Sequence, residues 1–131
     1  MTATTTASFE NTRHESARLG FGPEGCARVK IQRTYAGSLV GESQGELLVC
    51  PTADGMFGYV GIDHFTGTLD GRTGSFVYQH GEMHEQGSRR PFGFVVTGSG
   101  TGELAGLRGD LLISVSADGD HQVKLDYAFE T

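Results

Sequence analysis

The stretch from His121 to Phe129 alternates without a break. His121, Val123, Leu125, Tyr127 and Phe129 point one way, and Gln122, Lys124, Asp126, Ala128 and Glu130 the other. A period of two is the pattern of a half-buried strand. Arg28 to Gly37 repeats it, with Val29, Ile31, Arg33 and Tyr35 on one face and Arg28, Lys30, Gln32 and Thr34 on the other. No stretch sustains a helical period. The chain has 21 glycines and only 3 prolines, and glycine supplies the positive φ that tight turns need. Together these confine it to all-β folds with many turns.

Eight strands follow along the chain: Thr2–Phe9, Arg28–Gly37, Gly41–Cys50, Met56–Leu69, Thr73–His80, Pro91–Val96, Asp110–Ser116 and His121–Phe129. Asn11 to Gly25 mixes charge, glycine and proline and is expected to be a long loop or flap. His80 to Ser88 is polar, with Gly81 and Gly87, and is expected to be a turn or loop. The other connections are short, so neighbours should run antiparallel. The expectation is one domain over residues 1–131, an antiparallel eight-stranded barrel whose closure removes exposed edges. Such a barrel is either filled by side chains or holds one small ligand.

Gly98 to Gly109 is the most unusual segment. Its glycines frame Leu104 and Leu107, spaced as in one helical turn. The segment predicts a tight turn and a single short helical turn that seat these leucines over one barrel end. It is not a phosphate loop, because it lacks the Gly-Lys-Ser/Thr ending and no helix follows.

The formal charge is −6, and no basic stripe is present, which argues against a nucleic-acid partner. No apolar run reaches the ~20 residues of a membrane helix. The N-terminus has no signal-peptide pattern. Cys26 and Cys50 sit at no motif spacing, and buried free thiols in a cytoplasmic protein are expected. No metal or cofactor is expected. His80 and His84, four apart, lie ~13 Å apart on a strand, too far to share an ion. No nucleophile elbow occurs.

The chemistry concentrates on the hairpin joined at Asp70-Gly71. A two-residue turn pairs Asp63 with Tyr78; a four-residue turn pairs it with His80. Both registers put Tyr59, Gly61, Asp63, Phe65, Phe76, Tyr78 and His80 on one face. Val60, Ile62, His64, Thr66, Ser75, Val77 and Gln79 take the other. Asp63 and His80 are the candidate acid–base pair, since a carboxylate orients an imidazole and sets its tautomer. Tyr59, Phe65, Phe76 and Tyr78, with His121 and Tyr127 on the last strand, are the candidate pocket walls, and the tyrosines are candidate phenol donors. The alternative is that Asp63 and His80 merely satisfy each other in a filled interior. Arg33 and Glu46 are weaker candidates, for an internal ion pair or for the surface.

Several strings resemble a known family. They are Tyr59-Val60-Gly61-Ile62-Asp63, Gly67 to His80, Gly98 to Gly109, and His121 with Leu125-Asp126-Tyr127. In order, they are similar to the small bacterial domain-of-unknown-function family 3224. The resemblance runs from about Arg28 to the C-terminus and departs from the family pattern at Asp63, where glutamate is usual. It implies a compact barrel similar to allene oxide cyclase and dirigent proteins, but no activity. Two functions are therefore expected as alternatives. One is a small-molecule-binding barrel, a cofactor-independent cyclase or isomerase acting on a hydrophobic substrate in the barrel interior. The other is a non-catalytic ligand-binding or structural barrel. Val60, Ile62 and Val77 form an outer apolar patch that points to a homo-oligomer.

Overall fold

The computed structural model describes residues 2–130. Its strands are β1 (Ala3–Arg18), β2 (Ala27–Gly37), β3 (Leu39–Pro51), β4 (Phe57–Leu69), β5 (Arg72–Glu85), β6 (Ser88–Val95), β7 (Thr101–Gly102), β8 (Leu107–Val115) and β9 (His121–Phe129). Eight of them close into an antiparallel ring in the order β1-β2-β3-β4-β5-β6-β8-β9, and the two-residue β7 hangs on β5. The all-β, barrel-like architecture matches the expectation.

The hairpin takes the two-residue turn. Asp63 pairs with Tyr78 and Leu69 with Arg72. Asp70 and Gly71 both have positive φ, 48° and 84°, as a type I′ turn demands. Odd positions of β4 from Tyr59 to Phe65 face inward, and Phe65, Phe76 and Tyr78 are buried.

Three segments differ from the expectation. Asn11 to Gly25 is not a long loop. Strand β1 continues to Arg18, paired with β2 as far as Ala27, across a bulge between Asn11 and Arg13. Ladder pairing uses backbone groups, so the polar run Arg13-His14-Glu15-Ser16 is no obstacle, and no glycine or proline interrupts it before Gly20. Likewise β5 runs on to Glu85. Gly81 there is a packing position rather than a turn: a Cβ on it would lie 2.5 Å from the Phe92 ring. The helical turn at Leu104 is instead a chain of tight turns, with Leu104 N–H donating to Thr101 O, Ala105 N–H to Gly102 O and Leu107 N–H to Leu104 O. Leu104 and Leu107 are nonetheless fully buried, as the segment's pattern predicts.

The core fills one half of the ring. Leu39, Phe65, Leu69, Phe76, Leu104, Leu107, Leu111, Val123 and Leu125 are all at most 1% exposed. Strands β8 and β9 stop at Val115 and His121, where His121 pairs with Phe9. Strands β1 to β6 continue beyond that point. The prolonged half is an open end, where the inward residues Leu47, Val49, Phe57, Tyr59 and His84 are only half-buried. On the outside, Leu48, Val60, Ile62, Phe92 and Phe94 are 40–51% exposed. They line a broad outer groove of about 1140 Å³.

Candidate functional site

Between the packed half and the open end lies a buried polar network. Strand β4 supplies Asp63, β5 supplies Tyr78 and His80, β2 supplies Arg33 and Tyr35, and β3 supplies Ser43. All six are nearly inaccessible. His80 Nε2 lies 2.7 Å from Asp63 Oδ2, and Arg33 Nη1 donates to the same oxygen at 3.1 Å. Asp63 and His80 are thus in contact, as both readings of the pair require, and Arg33 joins them. Glu46 is elsewhere, 3.7 Å from Arg28 on the surface.

The remaining bonds have one consistent direction. Arg33 Nη1 also donates to the Tyr78 hydroxyl at 3.1 Å. Ser43 donates to Asp63 Oδ1 at 3.3 Å. Because the Ser43 hydrogen is committed, Tyr35 must donate to Ser43, across 2.7 Å, and Tyr78 to Tyr35, across 2.5 Å. The circuit begins at the Arg33 cation and ends on the Asp63 carboxylate. A carboxylate only accepts, so His80 Nε2 carries a hydrogen, and in the neutral ring Nδ1 is the acceptor that faces the Tyr59 hydroxyl, 3.5 Å away. Among the described residues, no buried side-chain polar atom lacks a partner.

Burial raises the pKa of the Tyr35, Tyr59 and Tyr78 phenols, Tyr78 well above the ordinary 10. For Tyr59, the Glu82 and Asp63 charges add to that effect and Arg33 opposes it. All three are thus hydrogen-bond donors at neutral pH, not phenolates. Burial disfavours the Arg33 cation, but Tyr78 and Asp63 outweigh it and its pKa rises above the ordinary value.

The candidate wall residues divide by height along the ring. Phe65 and Phe76 have no exposed surface. No water-sized space touches them, so they fill the interior rather than wall a ligand pocket. Tyr78 is 1% exposed and belongs to the network. His121 packs on Phe9 with ring centroids 5.2 Å apart. Tyr127 donates to Asp70 at the opposite end of the ring. Tyr59 alone of these candidates joins the Asp63–His80 pair to half-exposed surface.

A second polar cluster borders the open end in a stretch expected to be loop. Arg89 donates to Glu82 Oε1 through Nε, at 3.1 Å, and through Nη2. His84 Nδ1 is 3.4 Å from Glu82 Oε2, and its ring stacks on Phe57 at 4.9 Å. Burial alone would raise the Glu82 carboxyl, but Arg89 and His84 outweigh it and hold the pKa below the ordinary 4.5. A depressed carboxyl stabilises the fold above its unfolded pKa, and that contribution disappears as pH falls through the folded value. Stability should therefore drop as acid is added below about pH 4.5. Glu82→Gln should flatten that limb in denaturant titrations repeated at several pH values.

Comparison with known proteins places this architecture. The family model described as a protein of unknown function, DUF3224, matches residues 3–127. The chain belongs to the DUF3224 family. A solved DUF3224 protein of unknown function from Shewanella oneidensis MR-1 is 33% identical, superposes with a TM-score of 0.89, and is covered in full by a match spanning all of this chain. A comparison with curated proteins finds no match. The network, open end and outer groove are thus features of a DUF3224 chain.

Proposed function

We propose that this DUF3224 chain is a small-molecule-binding barrel whose ligand lies at the open end, against Tyr59. The observation that carries this is the line Tyr59–His80–Asp63, which leads from half-exposed surface into a sealed network. Asp63 and His80 are each 1% exposed, so their side chains are shielded from direct contact with a ligand. They therefore act through Tyr59, as positioning residues. The half-buried Leu47, Val49 and Phe57 supply an apolar surround, and the phenol supplies one directed donor when its single hydrogen turns from His80 Nδ1 to the ligand. That combination suits a hydrophobic molecule bearing a carbonyl. Turned toward a ligand, the Tyr59 hydrogen can stabilise a developing oxyanion. A proton given up there returns from solvent at the half-exposed end, because His80 Nδ1 carries none to give. This is general-acid chemistry for a cofactor-independent isomerase or cyclase.

Tyr59→Phe tests this, using hydrophobic ketones and enones as probes. It removes one hydroxyl and leaves the apolar ring in place. The free protein should melt within a few degrees of wild type. Affinity for the probes, by calorimetry, should fall roughly 2–10-fold, the worth of one hydrogen bond. Turnover of a true substrate should fall about 10²–10⁴-fold. Unchanged binding in Tyr59→Phe would refute the assignment.

A second reading rests on the outer groove. Val60, Ile62, Phe92 and Phe94 are exposed together there. The charged side chains lining it, apart from buried Asp63, are Arg13, Lys30, Glu15 and Glu46. This lining is neutral on a chain of formal charge −6. A second copy of the chain meets no net repulsion on this face, so a homo-oligomer would form there. Ile62→Lys should then lower the mass measured by light scattering to that of the monomer, and an unchanged mass would exclude this face.

A further inference from the structure

We propose that Cys26 and Cys50 form a reversible thiol–disulfide exchange site that takes a low-molecular-weight disulfide and, when oxidised, staples the β1–β2 connection to the end of β3. The β2–β3 ladder pairs Ala27 with Val49. One step further along, Cys26 stands opposite Cys50. The Cys26 N–H donates to Pro23 O at 3.3 Å, and its carbonyl accepts from Leu19 N–H at 3.1 Å. Both backbone groups thus point into the β1–β2 connection and away from β3. In an antiparallel ladder this makes the pair non-hydrogen-bonded, the kind with Cα atoms ~4.5 Å apart and side chains closest. That separation falls inside the range a disulfide spans.

The side chains share a face. Val29 and Ile31 point inward, so alternation sends Cys26 outward; Leu47 and Val49 point inward and send Cys50 outward as well. Both thiols are free. Cys50 is half-buried, whereas Cys26 is buried under the connection, where a Cβ on Gly22 would lie 3.8 Å from its Sγ. The hydrogen bond to Cys50, ahead of burial, raises the Cys26 pKa. The roles follow from accessibility: Cys50 meets the incoming disulfide, and Cys26 resolves.

The exchange balances without another reactant. The Cys50 thiolate attacks one sulfur of the small disulfide, an S–S bond forms on Cys50, and one thiolate leaves. Cys26 then gives up its proton and attacks Cys50 Sγ. The protein disulfide forms and the second thiolate departs. Two protein thiols are oxidised and one small disulfide is reduced to two thiols; excess small thiol reverses both steps.

The test is incubation of the full chain with oxidised glutathione, followed by acid quench, thiol titration and mass spectrometry. Titratable thiols should fall from two to none. The mass should drop by two hydrogen atoms, with Cys26 and Cys50 peptides cross-linked, and dithiothreitol should restore both thiols. Cys26→Ser should stop at a stable glutathione adduct on Cys50. Persistence of both thiols in wild type, a lasting adduct on wild-type Cys50, or covalent dimers in place of the internal bridge would each overturn the proposal.

Discussion

Asp63→Ala is expected to lose about 3–5 kcal/mol of unfolding free energy, the cost of leaving a buried charge without its partner. Arg33 would stay buried, with its Nη1 facing the empty carboxylate position. Ser43 and His80 would each lose an acceptor as well. Against a typical total of 5–15 kcal/mol, that leaves a marginal fold. Guanidinium titration of the two proteins measures it. The size of the effect does not mean that the ion pair is a net stabiliser. Desolvating Arg33 and Asp63 opposes their attraction, and an apolar replacement of matched volume is often neutral or better. Arg33→Met/Asp63→Leu should therefore recover the part of the loss that comes from the unpaired Arg33 charge, while Ser43 and His80 still lack their acceptor. Recovery by the double variant would show that the polar network is kept for something other than stability.

Gly100→Ala is the second large effect. A Cβ on Gly100 would lie 1.9 Å from the Leu104 carbonyl oxygen, a backbone atom that cannot swing away. Leu104 is fully buried and accepts from Leu107 N–H, so the clash reaches the plug of the packed half. A loss of about 3 kcal/mol or more is expected, at the upper end for overpacking. Gly98→Ala is the control in the same segment. Gly98 has φ +89° but nothing within 4 Å of its Cβ, so only the left-handed penalty of about 1–2 kcal/mol applies. Similar melting temperatures for the two variants would contradict a close-packed corner at Gly100.

The hairpin was legible because its information is local. The Asp70-Gly71 turn and period-two alternation determine which side chains share a face, and they bring Asp63 within reach of His80. The members of the network on β2 and β3 were not legible in the same way. Arg33 and Tyr35 meet Tyr78 across the interior, and that contact depends on ring closure and strand stagger. Alternation assigns a side chain to the inside but gives it no height. Tyr127 and His121 face inward as read, yet Tyr127 reaches Asp70 at one end and His121 packs on Phe9. The β1 extension and the Glu82–Arg89–His84 cluster were hidden by composition, since their polar residues and glycines read as loop while the backbone remains in the ladder.

The open-end site is tested most directly by methyl-region NMR of the labelled chain during titration with the same ketones and enones. Shift changes should concentrate on the open-end methyls of Leu47 and Val49, and of Val29, which pairs with Leu47, and disappear or weaken in Tyr59→Phe. Changes confined to Val60, Ile62 and Leu48 on the outer groove, or no changes with any probe, would contradict a ligand site at Tyr59.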